Sequence, residues 1–541
     1  MVNSFNASTV TLSDLNLIEA SAGTGKTFTL AEIYCRLILE QDLTVEQILV
    51  VTYTRAATEE LRSRLREKLV NTRNELEEEA DERSLLARQK LNLAIQSFDE
   101  AAVFTMHGFC QRVLGDFAFE SGLAFDLEFI GDDHALLQSA VDDFWRRYIT
   151  TADHNLVRYL LAQRQSPESL LKSIRPLLGK PYLHYLPIDD VDVDKVHQQA
   201  KTQFENLKML WSDEQDKITA TLQNRALLKG NMYRTKSVEK WLLLLEELLS
   251  YKDVPLKLFT DFDRFTPIRL QDALKEDQQL PELAFWDASK QLQEMVEKVQ
   301  AAQAIQYQHL RYALLIELLS TLKKEKQQQQ VQSYDDLLLN LEQALEGSRG
   351  DWLISRLRQQ YPAALIDEFQ DTDPVQYASF SRIYADSSLP VFLVGDPKQA
   401  IYSFRGADIF TYLSAKKSTQ HEHTLGTNWR SHPDLVNAVN MILNSKKKPF
   451  IYEGIPFHPV KASRESKPIL TTLNSNSALQ LLWIDSSKVM TKTEMAKLAA
   501  KATADEIALL LNQANSCEAM LLEKKAEKPI PVSGGDIAIL V

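Results

Sequence analysis

At 541 residues the chain is too long for one hydrophobic core, and ordinary domain sizes imply three or four. Hydrophobic residues make up 44% and charged residues 25%, and the longest apolar stretch, Trp241–Leu249, is interrupted by Glu246 and Glu247, so no membrane span is expected. The net charge of −13 lacks the basic footprint common in nucleic-acid binders, so composition alone does not point to that class. Charge is nonetheless uneven. Arg55, Arg62, Arg64, Arg66 and Lys68 share one predicted helix, Lys446–Lys448 form a basic triplet, and Glu75–Glu82 is acidic. Each run reads most simply as a solvated face. Cys35, Cys110 and Cys517 have no paired spacing, which fits a reducing cytoplasm and supports neither a disulfide nor a zinc site. The N-terminus has no basic segment followed by an apolar one, so no secretion signal is expected.

The first elements alternate strand and helix: Leu15–Glu19, Lys26–Glu40, Ile48–Thr52, Ala57–Leu69, Val103–Thr105. That alternation predicts a parallel α/β sheet. From about 120 to 330 glycine nearly disappears and helical periodicity takes over, as in Val238–Leu249 and Leu292–Leu322. The polar run KKEKQQQQVQ is expected to continue a helix, because Gln and Lys favour helix and nothing breaks it. Trp145, Trp211, Trp241 and Trp286 in this region read as core anchors. Strands then return at Ala363–Ile366 and Val391–Val394, with a helix starting after Pro374 between them. Further on, strands are expected near His423–Leu425 and at Leu479–Trp483, with helices at Pro433–Asn444 and Glu494–Asn512. The closing DIAILV reads as a buried strand.

LIEASAGTGKTFTL places a small-residue loop between a strand and a helix, where backbone amides and the helix N-terminus cradle anions. Lys26 would neutralise phosphate charge and the Thr27 hydroxyl would ligate Mg²⁺. IDEFQDTD follows a buried strand, so Asp367 is placed to orient Mg²⁺ and Glu368 to polarise an attacking water. Two adjacent acids could merely open a loop, but together with Lys26 and Thr27 in one chain they read as the second half of a phosphoryl-transfer site.

The run Ala20-Ser21-Ala22-Gly23-Thr24-Gly25-Lys26-Thr27 resembles the AxAGxGKT loop of superfamily 1A helicases. VVTYTRAATEELRSRL, VFTMHGFCQR, IDEFQDTDPVQY, LVGDPKQAIYSFRGADIFTY and LGTNWRS follow in that family's order, covering residues 17 to 435. Within it, EASAGTGKTFT, DEFQDTDPVQY and FRGADIFTY look more like RecB subunits of exodeoxyribonuclease V than like UvrD or AddA proteins. The resemblance implies a P-loop NTPase fold of RecA-like parallel sheets with a large helical insertion. Residues 1–115 and 331–410 would form the first motor domain, 116–330 the helical insertion reaching toward duplex DNA, and 411–541 the opening of the second domain. It implies ATP and Mg²⁺ as cofactors and DNA, RecC and RecD as partners. The implied activity is 3′→5′ helicase and exonuclease action on double-strand ends. By matching position, Gln399 senses the γ-phosphate, Arg430 stabilises the transferring phosphate and Trp429 stacks on adenine. Tyr53, Tyr402 and Phe404 take bases, and Thr54, His107 and Arg405 lie near the strand backbone or the coupling relay.

The chain departs from the family's pattern in two ways. The upstream glutamine that reads adenine is not matched, since the first glutamine is Gln41, which leaves recognition to Trp429. The later motifs, including the second-domain arginine and the nuclease acids, have no counterpart before Val541. The chain therefore reads as the front of a longer protein, expected alone to bind nucleotide with little hydrolysis. Two other readings stay open: a UvrD-type repair helicase, and a binding module without useful catalysis.

Overall fold

A computed structural model of the chain describes residues 3–76, 81–118, 127–403, 406–463, 470–472, 477–485, 488–522 and 528–540. Half of the acidic run, residues 77–80, falls outside these residues, as do Phe404 and Arg405. Seven parallel strands form the main sheet: β1 (Asn3–Ser4), β2 (Leu15–Ala20), β3 (Ile48–Thr52), β4 (Val103–Thr105), β5 (Ala363–Ile366), β6 (Val391–Gly395) and β7 (His421–Leu425). Their order across the sheet is β1-β7-β2-β6-β5-β3-β4. Strands β3, β5 and β6 are buried at every position, as expected of inner parallel strands covered on both faces. The α/β class read from the sequence is therefore the class observed.

Strand β7 corrects one expectation. It lies in the segment beyond residue 410 expected to open a second domain, yet it pairs with β2 from Asn16↔His421 to Ala20↔Leu425, so the first sheet continues past that point. Alternation in a sequence identifies a strand but not its neighbour. Buried Glu19 of β2 accepts from Lys416 Nζ at 2.7 Å and from the Tyr412 hydroxyl at 3.3 Å, which ties helix Ile409–Ser418 to this sheet.

Helix α1 (Lys26–Glu40) buries eight of its fifteen residues, and Gly25 caps it in the left-handed conformation. Helix α2 (Arg55–Glu75) is mostly polar and buries only Leu61, Leu65 and Leu69, a single stripe at i, i+4 spacing. Part of its basic run has structural work. Arg62 donates to the carbonyls of Asp99, Ala101 and Val103, and Lys68 pairs with Glu32 at 2.6 Å.

The chain divides into two units, Met1–Phe125 with Asp335–Val541, and Asp126–Tyr334. The second is mostly helical and is organised along one 45-residue helix, Ala284–Gln328, which runs through KKEKQQ but stops short of the end of the expected helical run, where Val331–Gln332 forms a short strand instead. Its largest core includes Trp211, Trp241 and Trp286, while Trp145 packs against a smaller one. All four tryptophans act as anchors.

Beyond β7 the expected helices form as Pro433–Asn444 and Lys492–Asn515. The two expected strands do not. Leu479–Trp483 and Ile537–Leu540 form no strand, and Trp483 is 89% exposed. A strand needs a neighbouring backbone, and among the described residues neither segment has one. Short strands pair here instead: Leu470–Thr471, Met520–Leu521 and Ile530–Pro531, all antiparallel.

Phe392 lies fully buried at the centre of the main sheet. Phe392→Ala should cost about 3–5 kcal/mol in the unit holding that sheet. Urea unfolding followed by pulse proteolysis, which reads the two units as separate fragments, should show this loss while the helical unit keeps its midpoint. A loss below about 1 kcal/mol would contradict the core described.

Candidate nucleotide and single-strand site

The carboxyl ends of β2, β3, β5 and β6 converge on the loop Ser21–Gly25, the usual place for a ligand in a parallel sheet. Gly23 (φ 77°) and Gly25 (φ 93°) both take left-handed backbone that a side chain would strain. At Gly23 space is also lacking, because a Cβ would lie 2.8 Å from Arg430 Cβ. The chain after β7 closes over the loop here. The Trp429 amide donates to the Gly23 carbonyl at 2.7 Å and Asn428 Nδ2 to the Ala22 carbonyl at 2.9 Å. Asn428 Oδ1 in turn accepts from the amides of Arg430 and Ser431, which fixes the turn that carries Trp429 and Arg430. Thr24 is buried, its hydroxyl donating to the Ser21 carbonyl at 2.7 Å. The first amides of α1 lack helical partners and mark an anion site.

Lys26 Nζ donates to Glu368 Oε2 at 2.6 Å, which brings together the two halves of the site across 342 residues. Glu368 sits at the end of β5 with left-handed backbone (φ 49°). Asp367 beside it accepts from the Glu368 amide at 2.9 Å. Burial, reinforced by the neighbouring Glu368 charge, pushes the Asp367 carboxyl up to about 6. Asp371 is pushed to about 6 for the same reasons, and its Oδ1 is buried without a hydrogen-bond partner. From Glu368 a hydrogen-bonded chain continues through Gln370 to Asp396, whose Oδ2 accepts from Gln399 Nε2 at 2.7 Å.

On the side of β3 and β4, Tyr53 and Tyr402 stack with ring centroids 5.6 Å apart and planes 17° from parallel. Two residues that the resemblance singles out on separate segments thus form one aromatic surface. Thr54 lies beside them, but its hydroxyl caps α2 by accepting from the Ala57 amide at 3.1 Å. His107 is half-buried in α3 (Met106–Asp116). Burial lowers its pKa, and the Asp335 carboxylate pulls the other way. Phe404 and Arg405 of the same expected set lie outside the described residues.

Residues 2–420 match the UvrD/REP helicase N-terminal domain. The chain belongs to the UvrD/REP helicase family. It is similar to the RecBCD enzyme subunit RecB of Escherichia coli K12, with 34% identity over 97% of this chain and 46% of that protein. The RecB subunit of Haemophilus influenzae is 33% identical over 92% of this chain and 45% of its own length. That of Mycolicibacterium smegmatis is 28% identical over 79% and 29%. The chain spans less than half the length of these curated relatives.

The donor set of this helicase-family site fits Mg²⁺. A hydroxyl (Thr27) and a carboxylate (Asp367) stand beside further acids whose crowding a divalent cation would relieve. Among the described residues no group of three or more His, Cys, Asp or Glu could hold a metal. With one hydroxyl and one carboxylate from the protein, phosphates and water would supply the other ligands, as magnesium prefers. Two residues escaped the sequence reading. Phe28 is 65% exposed and Trp429 61%, and they flank Gly25, where a Cβ would lie 4.0 Å from one and 3.8 Å from the other. An aromatic directly after GKT was the available signal. Gln370 is buried between the acids, and only tertiary structure shows its partners.

Asp371 yields a pH prediction. Its unfolded carboxyl ionises near about 3.9, whereas in the fold it holds its proton to about 6. Between those values the folded state binds more protons, so stability falls as pH rises. Asp371→Asn should therefore raise the melting temperature of the nucleotide-free chain at pH 7–8, with the gain vanishing by about pH 4. A gain independent of pH would contradict the crowding described.

Proposed function

We propose that this chain is the ATP-binding front part of a RecB-type 3′→5′ DNA helicase motor. It would act on double-strand ends in the cytoplasm, in an assembly with RecC and RecD. The observation that carries the reading is the Lys26–Glu368 contact beside Thr27 and Asp367. It supports a site in which a phosphate-neutralising cation and a proton acceptor meet, with two magnesium donors next to them in sequence. The first RecA-like domain would take in the main sheet through β7, and the helical unit Asp126–Tyr334 would be its DNA-facing arm.

Incoming phosphates would draw Lys26 away from Glu368, because the doubly charged group competes for the same ammonium. Glu368, freed, would accept the proton of the attacking water. Thr27 and Asp367 would hold Mg²⁺, which when bound supplies Lewis-acid charge on the phosphate oxygens. Arg430, exposed beside the loop, would neutralise charge on the transferring group. Trp429 and Phe28 would hold the base between their faces. This arrangement needs no upstream glutamine, so it accounts for the missing adenine reader. Gln399 would sense the γ-phosphate from the far side. Tyr53, Tyr402 and Phe404 would stack on bases, with Arg405 and His107 near the strand backbone. Stacking is local and sequence-tolerant, so an acidic protein can hold single strands by it.

Two substitutions separate binding from chemistry. In the full-length enzyme carrying this motor, Lys26→Ala should weaken ATP binding, seen by calorimetry. Glu368→Gln should reduce single-strand-stimulated phosphate release by roughly 10²–10⁴ without weakening binding. Normal turnover by the glutamine variant would remove Glu368 from its role. On the DNA side, Tyr53→Ala should cost about 1–3 kcal/mol in single-strand affinity. Fluorescence anisotropy should show that cost to be alike for oligo-dT and oligo-dA, with nucleotide affinity kept. Undiminished oligonucleotide affinity would overturn the stacking assignment.

A further inference from the structure

The five residues from Lys26 to Gln399 form one continuous hydrogen-bonded path, and its central member is neither charged nor in reach of the phosphate loop. Gln370 is 2% exposed. Its Nε2 donates to Glu368 Oε2 at 2.8 Å and to Asp371 Oδ2 at 3.2 Å, and its Oε1 accepts from the Asp396 amide at 2.9 Å. Two partners are acceptors and one is a donor, so only this orientation of the amide satisfies all three. The carbonyl reaches its partner because Gly395 has no side chain. A Cβ there would lie 2.6 Å from Gln370 Oε1. Beyond Asp396 the path ends on Gln399, three residues before the Tyr402 ring that stacks on Tyr53.

We propose that Gln370 is a positioning residue that couples the state of Glu368 to the segment Gly395–Tyr402, through the two ends of one rigid amide. The inference rests on the nucleotide-site reading above and deepens it. While Lys26 holds Glu368, the carboxylate is fixed and Gln370 donates chiefly to it. When phosphates take Lys26, Glu368 moves, and the amide must follow it or turn wholly to Asp371. Because Nε2 and Oε1 share one planar group, either motion displaces Oε1 against the Asp396 N–H. Leaving that buried donor unpaired would shift the equilibrium by roughly tenfold or more, so the start of the 396–402 segment moves with the amide. Gln370 thus links the phosphate side to the aromatic side without touching either ligand.

The test is hydrogen exchange by mass spectrometry on the full chain, with and without Mg²⁺ and a non-hydrolysable ATP analogue. In the parent, the analogue should protect the peptide containing Ser21–Thr27 and change exchange in the peptide containing Gly395–Tyr402. Gln370→Met removes both ends of the bridge. It should speed basal exchange at Asp396 roughly tenfold, as expected for one lost hydrogen bond, and abolish the nucleotide response there while keeping the protection of the loop. Gln370→Glu keeps the acceptor for Asp396 but replaces the donor to Glu368. It should leave basal exchange slow and still lose the response, a separation that a purely structural role would not produce. If both variants transmit the response as the parent does, the coupling is overturned while the nucleotide site stands. If the analogue fails to protect Ser21–Thr27 even in the parent, the nucleotide-site reading fails and the coupling falls with it.

Discussion

One ammonium among three carboxylates is the constraint on which the rest of this site depends. Lys26 is in ion-pair contact with Glu368, and its charge also acts on Asp367 and Asp371, both raised to about 6 by burial and by Glu368. Buried acids with too little positive charge are costly to assemble. They persist here because the sheet leaves no alternative: β2 delivers the lysine and β5 the acids to the same edge. The excess negative charge is what a divalent cation would offset, all the more once phosphate draws the lysine away. The stored cost and the proposed chemistry therefore share one physical origin.

The surrounding structure fixes that geometry. The turn at Asn428–Ser431 holds the phosphate loop by its carbonyls, and Gly23 is the position where the two segments come too close for a side chain. Trp429 and Arg430 are delivered by the same turn, so the residues expected to hold base and phosphate are positioned by the contact that shapes the loop. On the other side, Gln370 and Asp396 connect the acids to the segment carrying Tyr402. In both directions the linking groups are short amide and carboxylate side chains, which transmit position better than long flexible ones.

What the sequence made legible follows from which forces are local. Buried inner strands such as Ile48–Thr52 and Ala363–Ile366 stand out as continuous apolar runs, and the polar KKEKQQ stretch reads as helix because nothing in it breaks one. The Lys26 and Asp367–Glu368 halves were legible because their residue types and strand contexts carry the chemistry. Pairing was not. A strand is legible near His423–Leu425 but its pairing with β2 is not, and Leu479–Trp483 and DIAILV read as strands from apolarity alone. Hydrophobicity marks a segment that could be buried and says nothing of the backbone that would pair with it. Gln370 and Phe28 were missed for a related reason: their significance lies in neighbours distant in sequence.

In the proposed cycle Lys26, held by Glu368, is handed over to phosphate. Calorimetric titration of the chain with Mg²⁺ and a non-hydrolysable ATP analogue, comparing the parent with Glu368→Gln, tests it directly. Neutralising the competitor should free the lysine, so the variant should bind the triphosphate more tightly than the parent, with a smaller difference for the diphosphate. Unchanged or weaker triphosphate binding by Glu368→Gln would contradict the account.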